Sequence, residues 1–553
     1  MTNFERYQLW CEQVTDLGIL EQLKSMKGDE KRIDNAFYKD LEFGTGGLRG
    51  EIGAGTNCLN IYTIAKVTQG IADNMKANGL KSAAISYDSR INSDLFAEKT
   101  AQVFAANGIK AYLTRELMPT PFLSFMTREL KAGIGIMITA SHNPAKYNGY
   151  KVYGADGCQL TDARSKEMIC YIDKIDPFKV KTGELAQYIK AGLVEYAKDE
   201  LEKQYLACVK KQSVGSADGL RVVYTPLNGA GYRLVPEILK QAGVTDLFTV
   251  SEQRYPDGRF LTCSFPNPEK PEALRIGLEL AKEKDADILI ATDPDADRMG
   301  VAVKTKDSYR LMTGNETGAL LTDYLFSRRF ENGSLPQKPI LIKTIVSTDL
   351  AVRIAESYGA ECFNVLTGFK YIGEMIAQLE KNDETNRFVF GFEESYGCLA
   401  GSYVRDKDAV VAPMLTAEMA AYYKRKGKTL ADRIEELYTK FGTYTHRLKS
   451  YEFPGADGNV KMKSLLASLR AKLPQEIGGV KVAKTIDYLT QKEFKLPPAD
   501  VMLFDLSDGS QLIIRPSGTE PLIKMYLTAA KTPDENALVF ERLEKFLNDT
   551  FSK

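Results

Sequence analysis

Four times along the chain, an apolar, strand-like run of residues ends in an unusual polar loop. The loops read TASHNP from Thr139, TDPDADR from Thr292, GFEES from Gly391 and RPSGTEP from Arg515. In open α/β sheets, ligands bind outside the carboxyl ends of the strands. We therefore expect the four loops to meet in a single site that is assembled from four domains.

The length of the chain also indicates several domains. Its 553 residues exceed the roughly 250–300 residues at which one hydrophobic core stops growing. Short apolar, β-branched runs alternate with amphipathic stretches over most of the length, which is typical of α/β folds. Breaks in this pattern predict α/β domains at residues 1–213, 214–333 and 334–445, and an α+β domain at residues 446–553.

Two local signals predict structure in more detail. Ser93 is placed to cap the N-terminus of the helix that follows a predicted strand at residues 83–87. In the last domain, Asp508-Gly509 lies between two apolar runs, which is typical of the turn of a β-hairpin.

Composition excludes several classes of partner. The 73 Lys and Arg residues balance 73 Asp and Glu residues without a basic block, so we predict no nucleic-acid partner. No apolar stretch approaches the roughly 18 residues of a membrane helix, so we predict no membrane partner. The eight cysteines show no C-x-x-C spacing and the first residues do not read as a signal peptide, which favours the cytoplasm. The sequence predicts no particular oligomeric state.

Asp293, Asp295 and Asp297 alternate along the second loop. Carboxylates that converge so closely repel one another unless a cation neutralises them, and hard oxygen ligands select Mg²⁺ or Ca²⁺. An EF-hand needs glycine at position six and glutamate at position twelve, where this chain has Arg298 and Lys304. A solvated acidic turn is the alternative, but we favour a metal site because the triplet directly follows a buried strand.

Three other segments carry weaker signals. Arg515-Pro516-Ser517-Gly518-Thr519 combines a guanidinium, hydroxyls and a glycine turn, which are the components of a phosphate cradle. Glu393 and Ser395 offer hydrogen-bonding groups suited to sugar hydroxyls. For these segments, and for Thr367-Gly368-Phe369-Lys370, a surface turn is the alternative.

Ser141 is followed by His142, so a serine hydrolase has to be considered. Adjacent side chains on an extended loop tend to diverge, the only other histidine is His446, and no G-x-S-x-G elbow occurs. A nucleophilic or phosphorylated Ser141 opposite the three aspartates fits better, because phosphoserine carries nearly two negative charges and needs a metal partner.

Taken together and in this order, the four loops resemble the α-D-phosphohexomutase superfamily, especially its long, phosphoglucomutase-like branch. The resemblance runs from Arg49 to the last loop. It implies three related α/β domains and a C-terminal α+β domain around a central cleft. It further implies an isomerase that interconverts a hexose 1-phosphate and a hexose 6-phosphate, with glucose favoured, through a phosphoserine enzyme and a bisphosphate intermediate.

The resemblance also assigns roles to individual residues. Ser141 matches the phosphorylated serine and, with Asp293, Asp295 and Asp297, the ligands of Mg²⁺. The other catalytic positions that it implies are Lys151 as general acid/base, Arg49, His142 and Arg298. The implied substrate-binding positions are Thr367, Gly368, Glu393, Ser395 and Lys407, and the implied phosphate-binding positions are Arg515, Ser517, Gly518 and Thr519. Glucose 1,6-bisphosphate is the implied activator, and small sugar phosphates are the implied partners.

Two points in this assignment stay open. Shorter family members read G-E-x-S-G-H in the sugar loop, whereas Phe392 precedes Glu393 here and Tyr396-Gly397 follows Ser395. Phosphomannomutase and phosphopentomutase activity therefore remain alternatives, as do a bisphosphate synthase, a phosphatase and a non-catalytic sugar-phosphate-binding protein. In addition, Lys151 could act as a base only if its pKa, about 10.4 in water, were lowered by positive charge or burial.

Overall fold

The computed structural model describes residues 1–44, 46–453, 458–491, 496–517 and 522–551. These residues form four β-sheets, and each sheet takes its strands from one continuous part of the chain. The fold is therefore mixed α/β, as the sequence predicts. We call the sheets, with the helices packed on them, the first to the fourth unit.

The first unit begins with three helices, α1 (Asn3–Gln13), α2 (Leu17–Ser25) and α3 (Glu30–Phe37). Its strands are β1 (Gly47–Glu51), β2 (Ser82–Tyr87), β3 (Lys110–Leu113), β4 (Ile134–Ile138), β5 (Tyr147–Gly154) and β6 (Val194–Tyr196). Its other helices are α4 (Ile61–Ala77), α5 (Ser93–Ala106), α6 (Thr120–Glu129), α7 (Asp162–Ile172), α8 (Leu185–Lys190) and α9 (Asp199–Lys210). The strand order is β1-β5-β4-β2-β3-β6.

The second and third units are smaller. The second contains β7 (Arg221–Thr225), α10 (Leu234–Gln241), β8 (Asp246–Thr249), α11 (Pro271–Glu283), β9 (Ile288–Thr292), β10 (Met299–Lys304) and β11 (Tyr309–Met312). The third contains α12 (Gly314–Glu331), β12 (Ile340–Thr344), α13 (Leu350–Glu356), β13 (Glu361–Val365), α14 (Phe369–Lys381), β14 (Phe388–Phe392), β15 (Cys398–Ala400), α15 (Val411–Lys424) and α16 (Leu430–Phe441).

The fourth unit has a different architecture, with an antiparallel sheet ordered β16-β21-β20-β19-β18-β17. Its elements are β16 (Thr445–Glu452), α17 (Gly458–Ala471), β17 (Glu476–Ile477), β18 (Val480–Asp487), β19 (Met502–Leu506), β20 (Gln511–Pro516), β21 (Leu522–Ala529) and α18 (Pro533–Phe551). This unit is α+β, as expected.

The first three units share one arrangement of strands. The order β3-β2-β4-β5 of the first sheet recurs as β8-β7-β9-β10 in the second and β13-β12-β14-β15 in the third. In each unit the third strand of this series is parallel to the second and antiparallel to the last. Three of the polar loops are the connections β4–β5, β9–β10 and β14–β15. They therefore hold equivalent positions in three related units.

Apolar packing holds the units against one another. One core cluster contains buried residues of all three α/β units. Within it, α12 is buried on every side from Gly314 to Phe326, because it packs against β14, α13, α15 and α16. A smaller cluster joins Ile345 and Leu366 of the third unit to Leu503 and Ile513 of the fourth.

The helices at the surface bury only one face. In α16, Leu430, Ile434 and Leu437 are buried at the spacing of one helical face. Among the residues that the structure describes, no helix has both the length and the apolar character needed to cross a membrane.

The two local predictions have different outcomes. The Asp508-Gly509 turn joins β19 to antiparallel β20, and Gly509 has a positive φ of 84°, so the hairpin is confirmed. The cap prediction is wrong, since α5 begins at Ser93 with Asn92 in the cap position and no side-chain cap bond. The Ser93 hydroxyl instead donates to Asp88 Oδ1 (2.8 Å), because a buried carboxylate needs hydrogen-bond donors.

Candidate active site

The loop after β4 places Ser141 in an unusual backbone conformation. Its φ is +52°, in the left-handed region that residues with a side chain rarely adopt. The Ser141 N–H donates to Thr139 Oγ1 (2.8 Å), and Ser141 is only 4% exposed. Its Oγ donates to Asp293 Oδ2 (2.8 Å) and lies 3.1 Å from His142 Nδ1. The loops of the first and second units therefore meet at this hydroxyl.

Asp293, Asp295 and Asp297 follow β9, and their carboxylates are buried. One oxygen atom from each lies within 4.8 Å of the others. Asp293 Oδ1 accepts hydrogen bonds from the N–H groups of Asp297 (3.1 Å) and Arg298 (2.9 Å). The loop thus folds back on its first carboxylate, which brings all three together.

Two oxygen atoms of this cluster fit a metal ion. Asp295 Oδ1 and Asp297 Oδ1 are buried and accept no hydrogen bond from any residue that the structure describes. A buried carboxylate oxygen without a partner is strongly unfavourable, and a set of oxygen ligands suits a hard divalent cation. The cluster can therefore hold a metal ion.

Two lysines neutralise part of the negative charge. Lys151 Nζ, on β5, lies 2.8 Å from Asp295 Oδ2 and 3.4 Å from Asp297 Oδ2. Lys407 Nζ lies 2.8 Å from Asp297 Oδ2 and 3.3 Å from Asp406 Oδ1. Because Lys407 belongs to the third unit, three units supply charged groups to one buried cluster.

Charges this close shift one another's pKa values. Burial, reinforced by the neighbouring aspartates, raises the pKa of Asp293 well above its usual range. Burial acts the same way on Asp295, but Lys151, the hydrogen bond with Asp293 and the charge of Lys407 together outweigh it, and the pKa of Asp295 is lowered. Burial would lower the pKa of Lys151, but the carboxylates of Asp295 and Asp297 outweigh burial and raise it. While these carboxylates are its nearest charged neighbours, Lys151 does not meet the condition for acting as a base.

Arg49, His142 and Arg298 lie close enough together to interact electrostatically. Arg49 Nη1 donates to Asn143 Oδ1 (3.2 Å), and Arg298 Nη1 donates to Glu269 Oε1 (3.1 Å). Burial, together with the positive charges of Arg298 and Arg49, lowers the pKa of His142 well below its usual value. The imidazole beside Ser141 is therefore neutral at pH 7.

The β14–β15 connection carries Glu393 and Ser395. Glu393 is 5% exposed, and its N–H donates to the carbonyl of Gly397 (2.9 Å). Phe392, which departs from the pattern of shorter family members, is buried and stacks on Phe390 with ring centroids 5.9 Å apart. The departure at Phe392 therefore concerns core packing.

The second departure in this loop, Tyr396, links the third unit to the second. Tyr396 has a φ of +69°, and its carbonyl accepts a hydrogen bond from the N–H of Met299 (3.0 Å). Met299 is the residue after Arg298 at the start of β10. The β14–β15 and β9–β10 connections are therefore joined by a backbone hydrogen bond.

The segment before α14 is only partly available to a ligand. Thr367 Oγ1 is buried and has no hydrogen-bond partner among the described residues, and Gly368 has a φ of +118°. Lys370 Nζ pairs with Asp162 of the first unit (2.7 Å). In this conformation Lys370 links two units, and the Thr367 hydroxyl keeps unused hydrogen-bonding capacity among the described residues.

The fourth loop lies partly outside the described residues, since Gly518 and Thr519 are not among them. Arg515 is on β20, opposite Lys524 of β21. Ser517 N–H donates to the carbonyl of Leu522 (2.8 Å), which closes the described part of the turn.

Arg515 lies beside the third unit. Burial, reinforced by Glu393, raises the pKa of Glu394 to about 7, and Arg515 is close enough to oppose this shift. Within the described parts of the chain, no hydrogen bond or ion pair joins Arg515 to Ser141 or to the three aspartates. The structure thus brings the first three loops into one cluster and places Arg515, at the start of the fourth, near Glu394 of the third.

Three further residues, which were not predicted from the sequence, hold the loops in place. Asp88 and Arg90 follow β2, and Arg90 donates to backbone carbonyls of the loop around Ser141. Thr120 begins α6, and its hydroxyl donates to Asp295 Oδ2 (2.9 Å). The search for polar residues directly after an apolar strand, which identified the other loops, would also have found Asp88 and Arg90, because they follow β2.

Three family profiles match the chain. They describe the alpha/beta/alpha domains I, II and III of phosphoglucomutase/phosphomannomutase, and they match residues 40–178, 203–306 and 313–441. A phosphoglucomutase from Staphylococcus aureus (strain bovine RF122 / ET3-1) is 36% identical over 538 residues, which cover 94% of this chain and 95% of that protein. The resemblance expected from the four loops is confirmed.

Solved structures share the fold at lower identity. A phosphoglucomutase/phosphomannomutase family protein from Burkholderia thailandensis is 18% identical with a TM-score of 0.69, covering 92% of this chain and 97% of its own. An Aspergillus fumigatus N-acetylphosphoglucosamine mutase in complex with GlcNAc-6P and magnesium is 15% identical with a TM-score of 0.50, covering 93% and 96%. The profile matches and the S. aureus relative show that this chain belongs to the phosphoglucomutase/phosphomannomutase family.

Proposed function

We propose that this chain is a phosphosugar mutase that interconverts glucose 1-phosphate and glucose 6-phosphate through a phosphorylated Ser141. The observation that carries the proposal is the 2.8 Å contact between Ser141 Oγ and Asp293 Oδ2, at the edge of three clustered carboxylates. Membership of the family supports the reaction class. The S. aureus relative, a phosphoglucomutase, favours glucose as the sugar.

The proposed cation is Mg²⁺, held by Asp293, Asp295, Asp297 and an oxygen of phosphorylated Ser141. The two buried aspartate oxygens that accept no hydrogen bond from the described residues support a cation here, and the oxygen ligand set favours Mg²⁺. When bound, the ion neutralises negative charge on the phosphoryl group in transfer. Three aspartates and a phosphoserine carry about −5 against +2 from the ion, so nearby cationic side chains are needed as well. Lys407, Arg49 and Arg298 are the candidates for this role.

The proposed reaction consists of two phosphoryl transfers. In the first, O6 of glucose 1-phosphate attacks the phosphorus of phosphorylated Ser141, so that the O6–P bond forms and the P–Oγ bond breaks. O6 loses its proton, and Ser141 Oγ gains one. The resulting glucose 1,6-bisphosphate turns round, and Ser141 Oγ attacks its C1 phosphoryl, so that the Oγ–P bond forms and the O1–P bond breaks. Ser141 Oγ loses its proton, O1 gains one, and glucose 6-phosphate is released. Lys151, on the strand that follows the Ser141 loop, is the candidate for moving these protons, on the condition that a cation bound by Asp295 and Asp297 offsets the carboxylate charge that raises its pKa.

Substrate binding is proposed to be divided between the third and fourth units. Glu393, Ser395, Thr367 and Gly368 would bind sugar hydroxyls, and His142 would be a neutral hydrogen-bonding group next to the transferring phosphoryl. The residues proposed to hold the phosphate that is not transferred are Arg515, Ser517, Gly518 and Thr519. Because the bisphosphate carries a phosphate at each end, the same phosphate-binding residues can hold it in either of its two orientations. Glucose 1,6-bisphosphate would also act as an activator, since it can rephosphorylate Ser141.

We further propose that the protein works in the cytoplasm on small sugar phosphates. All eight cysteines are free thiols in the structure, which suits a reducing compartment.

Initial rates on four substrates test the proposed function. The substrates are the 1-phosphates of glucose, mannose, glucosamine and ribose, each with and without its bisphosphate. We expect glucose 1-phosphate to have the highest kcat/KM by about tenfold or more, and its rate to rise with catalytic amounts of glucose 1,6-bisphosphate. A preference for mannose or ribose would reassign the sugar, and release of inorganic phosphate would indicate a phosphatase. Equal and negligible rates on all four would favour a sugar-phosphate-binding protein.

A further inference from the structure

The conformation of Ser141 requires support from its surroundings. A φ of +52° is unfavourable for any residue with a Cβ, and it persists only where neighbouring groups hold it. The same turn directs the Ser141 Oγ to Asp293 Oδ2. Whatever holds the turn therefore also positions the proposed nucleophile.

Arg90 contacts this turn at several points. Arg90 is 3% exposed, and its guanidinium donates to four backbone carbonyls of the loop. They belong to Ser141, Asn143, Pro144 (3.0 Å) and Tyr147 (2.9 Å). Since the carbonyl of Ser141 is among them, Arg90 fixes the peptide plane that follows the serine.

Asp88 in turn orients Arg90. Asp88 Oδ2 lies 3.3 Å from Arg90 Nε in an ion pair whose two side chains are buried. Asp88 also accepts hydrogen bonds from the hydroxyls of Thr139 (2.6 Å) and Ser93 (2.8 Å) and from the Arg90 N–H (2.9 Å). Thr139 Oγ1 accepts from the Ser141 N–H. One end of the serine's backbone is thus held by way of Thr139, and the other by Arg90.

The second unit covers this arrangement. The ring of Phe260 lies over the Arg90 guanidinium, 5.2 Å from centroid to carbon, and Gly258 forms an isolated β-bridge with Arg90. A Cβ at Gly258 would clash with the backbone of the Arg90 segment, so glycine permits the close approach. The second unit, which covers Arg90, also carries Asp293. The packing of this unit on the Ser141 loop therefore positions Arg90 and Asp293 relative to each other.

We propose that Arg90, oriented by Asp88, is a positioning residue for phosphoryl transfer, because it holds Ser141 in the left-handed conformation that directs its Oγ to Asp293. The inference rests on the proposed function, since it concerns transfer to and from Ser141. A misplacement of about 1 Å costs a reaction roughly 100-fold in rate. Loss of the guanidinium should therefore slow the transfer step and leave almost unchanged the affinity for sugar phosphate and the affinity of the unphosphorylated protein for Mg²⁺.

The test compares Arg90→Lys and Arg90→Gln with the wild type and with Arg433→Lys. Arg433 is the matched control, because its guanidinium also pairs with a buried aspartate, Asp323 (2.7 Å), but links α16 to α12. Each protein is phosphorylated with glucose 1,6-bisphosphate that carries radiolabelled phosphoryl groups and is then separated from it. It is mixed with excess unlabelled glucose 1-phosphate, and the rapid-quench loss of label from the protein measures one transfer from Ser141. Lysine keeps the positive charge but lacks the fork of donors, so charge alone should not rescue the rate.

We expect the transfer rate to fall about 100-fold in both Arg90 variants. The KM for glucose 1-phosphate and the calorimetric Kd for Mg²⁺ should change by less than about threefold, and Arg433→Lys should transfer at the wild-type rate. Asp88→Asn keeps the size of the side chain, and we expect a smaller loss of the same kind. It provides the readout if the Arg90 variants do not fold.

The outcomes separate the inference from the function on which it rests. Wild-type transfer rates in the Arg90 variants, or in Asp88→Asn if only that variant folds, would overturn the positioning role. A loss of rate shared equally with Arg433→Lys would do the same. If the wild type itself takes up no phosphate on Ser141, the proposed function fails instead.

Discussion

At the scale of single residues, the left-handed conformation of Ser141 has a measurable energetic consequence. Glycine adopts a φ of +52° without steric cost, whereas alanine loses about 1–2 kcal/mol there. After the larger unfolded-state entropy of glycine is subtracted, we predict that Ser141→Gly is more stable than Ser141→Ala by about 0.5–1 kcal/mol. Urea denaturation of the two variants measures the difference, and loss of the hydroxyl contact cancels between them. If the glycine variant were less stable than the alanine variant, the left-handed conformation at position 141 would be contradicted.

The charge of Asp293 gives a second prediction. Its pKa is raised by burial and by its neighbours, so the ionised group destabilises the metal-free fold above the pKa of an unfolded aspartate, about 3.9. Asparagine keeps an acceptor for the N–H groups of Asp297 and Arg298. In chelator at pH 7 we therefore expect Asp293→Asn to melt at or above the wild-type temperature, and this advantage should disappear below about pH 4.

Added Mg²⁺ completes this test of Asp293. It should raise the melting temperature of the wild type, and the affinity of Asp293→Asn for the ion should be lower by about 100-fold. Calorimetric titration measures that affinity. A wild-type melting temperature that does not respond to Mg²⁺ would count against a metal site in this loop.

The sequence reveals the residues that carry the chemistry better than those that hold them. Alternating aspartates or a glycine turn after an arginine are visible because their members are neighbours in the chain. Thr120 contacts Asp295 across 175 positions, and no local pattern encodes such a pairing. The catalytic and binding roles inferred from the sequence stay predictions, and contacts of this kind can be found only in the folded chain.

At the scale of elements, the strands were the most predictable feature. β4 and β20 are apolar runs that end in polar loops, and the Asp508-Gly509 turn has the local chemistry of a hairpin. The predicted cap of α5 was wrong by one position. Asn92 takes the cap position with a φ of +62°, and the preferences of residue types for cap positions do not reveal this. The helix α12 is buried all round and packs on the third unit, although it lies within the predicted range 214–333. The four predicted domain ranges stay predictions.

His446 on β16 links the stability of the fourth unit to pH. Its Nδ1 lies 3.0 Å from Thr528 Oγ1, and its Nε2 is buried without a partner among the described residues. Burial, reinforced by Lys343, lowers the pKa of His446 to about 4. Because the unfolded pKa is about 6.5, the histidine contributes stability that is present above pH 6.5 and is lost as the pH falls towards 4.

We predict that this loss reaches at most about 3 kcal/mol. Unfolding free energies in urea at several pH values between 4 and 7 measure it, with His446→Gln as the control that cannot titrate. The wild type should lose stability relative to His446→Gln as the pH falls. Parallel pH profiles for the two proteins would refute the lowered pKa.

At the scale of the whole molecule, phosphate binding is proposed for the fourth unit and metal binding for the second. Arg515 lies beside the third unit and does not contact the aspartate cluster in the described structure. We predict that Arg515→Ala raises the KM for glucose 1-phosphate by about 10–100-fold, the usual effect of losing a charged hydrogen bond. The Mg²⁺ affinity should stay within about twofold of the wild type. An unchanged KM for glucose 1-phosphate would refute the phosphate-binding role of Arg515.

The architecture of the whole molecule was predictable in kind but not in its contacts. The order of the four loops implied the family, and the family implied three related units and a fourth. Zero net charge gave no sign that lysines of two units, Lys151 and Lys407, converge on the aspartates of another. The contact between Ser141 and Asp293 spans 152 positions, and it depends on how the units pack.

The central claim is that Ser141 carries the phosphoryl group in transfer, and mass spectrometry of the phosphorylated protein tests it most directly. After incubation with Mg²⁺ and glucose 1,6-bisphosphate that carries ¹⁸O-labelled phosphoryl groups, we predict one labelled phosphate on the peptide that contains Ser141. Unlabelled phosphate should replace it when unlabelled glucose 1-phosphate is added in excess. Ser141→Ala should fold normally, take up no phosphate and show almost no turnover. Wild-type turnover in Ser141→Ala, or a transferable phosphate on a different residue, would contradict the account.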